Sequence, residues 1–291
     1  LLAEVLHLAG FSIGEGLSLK TLFLDPFLSG HQFMYNFPAW FVPALFLVEA
    51  VNVCMRKVLS LLKLDREWLI FGICMILGML TVFLAIGGHV WGLYKFPGRI
   101  LFMLPGFQMG RIYKEKLEAH DTMEDGPYFL IVMGLQILIT IFCGGLAFSA
   151  VWVTSFSSGP LIPYITVMTG IAFWLRIARI LSGIPYLSGK MVFIGRDTYA
   201  IMMHHIASFM LVKGFFYLLS LSTPFCGEFD REMFFSEVSF VYLAGGSEAS
   251  KWIYLLAGIG IPLVIAHSQR KMGKLWNRLV RKQRGEEGCR S

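Results

Sequence analysis

The residues whose types and spacing suit chemistry cluster in GRDTYAIMMHH, Gly195–His205. A polar, turn-like head (Gly195, Arg196, Asp197) opens an apolar run that continues to about Leu221. Histidine is the side chain whose ordinary pKa suits proton transfer near neutral pH, and His204 and His205 lie inside this run. Consecutive helical residues point about 100° apart, so the two do not share one role. His204 falls about 12 Å along the helix from Arg196. An ionisable residue at that depth in a bilayer is expected to face the bundle interior or a wet cavity. The alternative for both histidines, favoured for His205, is a hydrogen bond between helices. Asp197 is spaced to cap the helix start.

Other polar residues stand in apolar surroundings. Glu49 and Asn52 are three apart and share a helix face; a proton or ion relay and a structural contact are both open. Arg176 and Arg179 have the same spacing near a span end, where they suit either a phosphate or positive-inside anchoring. Lys213 lies deep in the histidine helix and either snorkels outward or lines a cavity. Trp40, Phe41 and Trp91 fall at expected outer interfaces, where an aromatic belt and sugar stacking give the same pattern. The five cysteines are scattered at spacings that suit neither a metal site nor a disulfide framework.

These residues need a membrane to position them. The chain has 291 residues, 56% hydrophobic and 15% charged, with a mean hydropathy of +0.66. A soluble domain carries about 25% charged residues. The net charge of +6 does not point to nucleic acid, because the basic residues fall in short loops and the tail rather than on an aromatic-interleaved face. Apolar runs at about 38–55, 68–90, 99–112, 128–153, 161–181, 198–221 and 251–267 read as seven spans. The run 99–112 is short and broken by Pro105-Gly106. Residues 1–14 are too short to span and read as the end of an eighth span in a C-terminal fragment of a longer chain. Residues 15–37 read as a loop against the membrane face.

Lys and Arg in the connections test this count. Connections rich in them (Arg56 to Arg66; Arg111 to Lys116; Arg176 to Arg196; the tail from Arg270) alternate with poor ones (Lys95 and Arg99; 154–160; 222–250). The expected fold is therefore an all-α, polytopic transmembrane helix bundle over residues 1–268, with seven full spans and one partial. A basic, partly amphipathic tail, 269–291, is expected on the anionic cytoplasmic leaflet.

PAWFVPALFLVEAV (38–51), RILFMLPGFQMGRIYK (99–114) and GRDTYAIMMHH (195–205) resemble segments of the membrane-bound acyltransferase 3 family, in particular its fucose and polysaccharide O-acetyltransferase-like branch. The resemblance implies about ten spans in the intact protein, both termini inside, in a bacterial plasma membrane. It also implies transfer of an acyl group, usually acetyl, from acyl-CoA to a hydroxyl of an envelope carbohydrate or lipid-linked glycan. The donor is a substrate; no bound cofactor, metal or nucleic acid is implied. The family's main catalytic histidine, on its first span, and its Arg-x-x-Arg pair would both precede Leu1, so the fragment is expected to be inactive alone. The resemblance places Tyr199 and His204 along the acyl-transfer cavity, with His204 supporting the base or taking part in transfer, and Arg196 where CoA phosphates arrive. The alternative is a transporter or flippase of a lipid-linked glycan or small solute, for which paired broken helices are expected; one Pro-Gly break is found, without a partner. A non-catalytic membrane subunit is the third reading.

Overall fold

The computed structural model describes residues 2–12, 18–28, 34–143, 147–226 and 228–288. Twelve α-helices are found there: α1 (Leu2–Leu8), α2 (Leu19–Phe23), α3 (Asp25–Leu28), α4 (Phe41–Leu61), α5 (Glu67–Ile86), α6 (Lys95–Ile112), α7 (Asp125–Cys143), α8 (Ile162–Ser182), α9 (Pro185–Arg196), α10 (Thr198–Ser222), α11 (Arg231–Ser236) and α12 (Ser250–Gly288). Among the described residues the β structure is one isolated bridge, Ser149 to Thr154. The all-α class stands.

Six segments are long and apolar enough to cross a membrane: Phe37–Leu61, Glu67–Ile86, Asp125–Cys143, Ile162–Ser182, Thr198–Ser222 and Ser250–Asn277. Their outward apolar side chains, including Phe83, Leu130, Phe142 and Trp174, stay exposed. A lipid solvent suits such faces, since every backbone polar group is satisfied within its own helix.

The remaining expected span, 99–112, is α6, and it differs from the expectation in two ways. It is continuous through Pro105 and starts earlier, at Lys95. It also falls outside the six, because it carries Lys95, Arg99, Gln108 and Arg111. The physical reason is burial: Lys95, Arg99, Ile100, Phe102, Leu104, Pro105, Gln108 and Ile112 are all buried. A helix wrapped by its neighbours α4, α5 and α8 meets protein instead of lipid, so its composition need not be apolar.

Other connections are more ordered than expected. The stretch before Arg196 forms α9. The expected loop 15–37 includes α2, α3 and a 3-10 turn, Met34–Trp40; residues 13–17 and 29–33 lie outside the described ones. Residues 2–8 are a two-turn helix, followed by Phe11 packed edge-on against Phe234 at 5.1 Å. The tail is not set apart from the last span, since α12 runs unbroken from Ser250 to Gly288.

The chain divides into two compact units. One comprises Leu1–Thr21, Phe33–Ala39 and Gly189–Ser291. Its core is aromatic: Phe216, Phe229, Phe234, Tyr242 and Tyr254 are buried where α10, α11 and α12 meet the loop 223–249. Gly258 on α12 admits the Phe209 ring of α10; a β-carbon there would stand 2.6 Å from Phe209 Cε1. The second unit comprises Leu22–Gln32 and Trp40–Ser188, built around α6.

Candidate functional site

In the first unit, α9 ends at Arg196 and α10 starts at Thr198. The junction is tied locally: Asp197 N–H donates to Ile194 O at 3.0 Å, and Thr198 Oγ1 donates to Gly195 O at 2.8 Å. Asp197 occupies the expected cap position, but its carboxylate does not bond the amides of its own helix. It accepts instead from Arg270 Nη2 at 2.7 Å. That bond brings α12 alongside. His267, Arg270, Lys271 and Lys274 follow the i, i+3, i+4, i+7 spacing of one helix face, and all four line a cavity of about 370 Å³ together with Phe193, Arg196 and Asp197. Four basic side chains thus share the cavity with one carboxylate, already engaged by Arg270. The α10 N-terminus adds its positive dipole end. The charge of such a cavity suits an anion, a phosphate above all.

Of the residues expected here, Arg196 lines the cavity and the other two stand apart from it. Tyr199 is exposed, and His204 sits on an exposed face of α10 rather than in the interior of this unit. His205 is half-buried; its Nδ1 is 3.0 Å from Met202 O and its ring meets Phe209 edge-on at 5.5 Å. Lys213 does not snorkel: it is buried and donates to Val238 O at 2.9 Å. Sequence reasoning missed Arg270, Lys271 and Lys274 as site residues, having assigned the whole tail to the lipid surface. Their 3–4–7 spacing with His267 was the available signal.

The second unit holds a different cationic cluster. Lys95 and Arg99, one turn apart on α6, are each 1% exposed. Lys95 Nζ donates to Trp152 O at 2.6 Å, and Arg99 Nε donates to Val151 O at 2.8 Å. The Lys95 ammonium lies 4.1 Å from the Trp91 ring centre and 4.8 Å from that of Trp152. The Arg99 guanidinium lies 4.5 Å from the Trp40 ring centre and 5.7 Å from that of Trp152. Trp40, expected at a membrane interface or a sugar, therefore stacks on a buried arginine.

Arg176 and Arg179 are engaged by acids. Arg176, buried, donates to Asp121 Oδ1 at 2.5 Å, Asp125 Oδ1 at 3.1 Å and Met123 O at 2.9 Å, with the Tyr128 ring centre 4.0 Å away. Arg179 donates to Asp121 O at 2.8 Å. The pair ties the start of α7 to the end of α8. Glu49 and Asn52 part company: Glu49 is exposed, whereas Asn52 is buried and donates to Gln108 Oε1 at 2.9 Å. Gln108 in turn donates to Glu67 Oε2 at 2.8 Å, and Glu67 takes a two-pronged contact from Arg56. The carboxylate that serves Asn52 thus comes from α5, not from its own helix.

Among the described residues no group of three His, Cys, Asp or Glu could hold a metal ion. In comparison with known proteins, no family model, no curated protein and no solved structure matches this chain.

Proposed function

We propose that this chain is the membrane domain of an O-acyltransferase. It takes an acyl group, in the first place acetyl, from acyl-CoA and delivers it to a hydroxyl of an envelope or extracellular carbohydrate. In this reading it crosses the plasma membrane seven times, α6 included, with one further partial span and the C-terminus in the cytoplasm. The supporting observation is the 370 Å³ cavity at the foot of α10, where Arg196, Arg270, Lys271 and Lys274 converge. CoA carries three phosphate groups at one end, and a multiply cationic pocket with the Phe193 ring on its rim matches that end. The resemblance of residues 38–51, 99–114 and 195–205 to acyltransferase 3 segments points the same way.

The chemistry follows from the parts. Arg196 and the α12 cations hold the donor's phosphates, which leaves the thioester free to reach along α10. His204 stands about 9 Å along α10 from its first residue, Thr198, with Tyr199 between them in sequence. A base takes the proton of the acceptor hydroxyl, the oxygen attacks the thioester carbonyl, the C–S bond breaks, and the CoA thiolate leaves. His204 supports that base or supplies it.

The test is acetyl transfer in membranes expressing the full-length gene from which this chain is read, given acetyl-CoA radiolabelled in the acetyl group and an extract of envelope glycans. Label should appear in the glycan and fall in Arg196→Ala and His204→Ala. CoA binding should weaken in Arg196→Ala but not in His204→Ala. Absence of both labelled glycan and CoA binding would sink the reading, and glycan movement across the membrane without label would replace it with transport.

A further inference from the structure

Two apolar cavities meet between α6 and α8, both within the second unit. The larger, about 350 Å³, lies against Phe41, Leu45 and Val48 of α4. The smaller, about 130 Å³, reaches Tyr113, just past the end of α6, and Tyr128 of α7. Gly106 of α6 and Met168 and Ile171 of α8 line both, so the two form one groove. Phe102 lines the larger cavity and Tyr113 the smaller. They lie about 16 Å apart along the helix axis. That is the depth of one leaflet, half of a hydrocarbon core about 30 Å thick.

The walls decide what fills the groove. A cavity water needs two to four polar partners, and the hydroxyls here are taken or turned away. Tyr128 Oη donates to Ala172 O at 3.0 Å, and Tyr164 Oη faces Gly78 of α5. A dry apolar cavity takes hydrocarbon instead. A helix is too thick: at 10 Å across, three turns occupy over about 1,000 Å³, well beyond either cavity. A single acyl chain is narrow enough, and it has a way in from the side, because Leu45, Ile171 and Leu175 are exposed. α4, α7 and α8 are each long and apolar enough to cross a membrane, and in a bilayer the solvent at that opening is lipid.

The Tyr113 end sets the headgroup. The Tyr113 phenol lies in the field of Asp121, Glu118 and Arg179. Lys114 pairs with Glu118 at 2.7 Å and Arg179 with Asp121 at 3.4 Å, so both signs of charge surround that end. Such a mouth suits a zwitterion better than a free carboxylate. Tyr113 and Tyr128 are of the type that sits at headgroup level.

We propose that the groove between α6 and α8 is a lipid site, holding one acyl chain of a zwitterionic phospholipid with its headgroup at Tyr113 and Tyr128. The site needs α4, α7 and α8 to lie in a bilayer, and it stands whether or not the chain transfers acyl groups.

The experiment titrates the full chain, in detergent micelles, with a phosphatidylcholine carrying a diazirine midway along one acyl chain. Light fixes the label, and mass spectrometry of peptides locates it. Label should fall within 102–113 and 164–175, saturate at one lipid per protein, and be displaced by unlabelled phosphatidylcholine. Phosphatidylglycerol should compete less well; better competition overturns the headgroup assignment. A β-carbon at Gly106 meets nothing within 4 Å, so Gly106→Leu fills the junction of the two cavities. It should weaken labelling at least about ten-fold. Gly134 on α7 is equally open and outside the groove, and Gly134→Leu should label like the parent. Phosphatidylcholine should raise the melting temperature of the parent but not that of Gly106→Leu. Labelling that does not saturate overturns the site, and so does Gly106→Leu labelling equal to the parent's. If Gly106→Leu does not fold, Gly110→Leu, which fills the smaller cavity from another open position, decides on the same terms. A second arm uses palmitate bearing the same diazirine. Label in the groove that phosphatidylcholine cannot displace would assign it to a free fatty acid and overturn the phospholipid. A dimer lost on Gly106→Leu, with no lipid label, would give the groove to a second copy of the chain.

Discussion

Arg270 Nη2 lies 2.7 Å from Asp197 Oδ2, so the carboxylate at the start of α10 is bound by α12 rather than by its own helix amides. The bond sets the width of the cationic cavity and neutralises one of its four cations. Asp197→Asn should therefore act in two directions. Arg270 is half-exposed, so stability should fall by no more than about 1 kcal/mol. Affinity for adenosine 3′,5′-bisphosphate should rise, because an acid leaves the pocket and Arg270 is freed. Thermal denaturation in detergent and equilibrium binding at two salt concentrations read both effects; weaker nucleotide binding would count against a phosphate site.

Arg176 and Arg179 share a helix face and differ in their surroundings. Arg176 is buried and reaches two aspartates, a carbonyl and a tyrosine ring, a set that a lysine's single ammonium cannot reproduce. Arg176→Lys should cost about 2–4 kcal/mol, a little under the roughly 3–5 kcal/mol for removing one partner of a buried ion pair, because the lysine keeps the charge but loses the fork of hydrogen bonds. Arg179, mostly exposed, should cost under about 1 kcal/mol when changed to Ala. On the proposed function, neither change should alter the apparent KM for acyl-CoA. A raised KM in either, with stability intact, would return the pair to a phosphate clamp.

How far these features were legible in the sequence depends on what each residue faces. The lipid-facing helices were plain, because a lipid solvent selects long apolar runs. α6 was harder to read: Lys95 looks like a loop cation and Pro105-Gly106 like a break, yet neighbouring helices bury the first and sustain the helix through the second. Seating Lys95 against the carbonyl of Trp152, 57 positions on, is a tertiary fact that no local pattern encodes. The same holds for Asp121 and Arg176. Arg196 was legible as a cation at a helix start, but its companions on α12 were not, since a basic tail and a pocket wall have one composition. His204 was singled out for its depth in an apolar run; which way it faces depends on helix rotation, which that run does not fix.

Gln108 connects α4, α5 and α6. It is fully buried, accepts from Asn52 and donates to Glu67. Gln108→Leu removes both bonds and leaves a buried amide and a carboxylate each short of a partner. The expected loss is about 2–4 kcal/mol, at roughly 1–3 per unsatisfied group with partial relaxation. Asn52→Leu removes one bond and should cost less. The Asn52→Leu/Gln108→Leu pair should cost less than the sum of the two, since the amide stranded by one change is deleted by the other. Additive losses in chemical denaturation would show that the two side chains are not coupled.

Gly78 on α5 faces the phenol of Tyr164 on α8 and the ring of Pro105 on α6. A β-carbon at Gly78 would stand 2.4 Å from Tyr164 Oη and 2.8 Å from Pro105 Cγ, both well inside contact distance. Neither neighbour yields easily: the tyrosine ring is rigid and only 4% exposed, and the pyrrolidine is fixed to the α6 backbone. Gly78→Ala should therefore force α5 away from α6 and α8, costing about 1–3 kcal/mol, the usual range for overpacking. Helix propensity acts the other way, since Ala is favoured over Gly by about 1 kcal/mol in a helix interior, so a net loss has to come from the clash. Tyr164→Phe separates the two effects. Tyr164 Oη has no hydrogen-bond partner among the described residues, so removing it should leave the parent's stability unchanged or raised while opening space at Gly78. The double variant should recover part of the Gly78→Ala loss in a thermal melt, the remainder reflecting the ring carbon and Pro105. Full tolerance of Gly78→Ala would mean that the three helices do not approach this closely at Gly78.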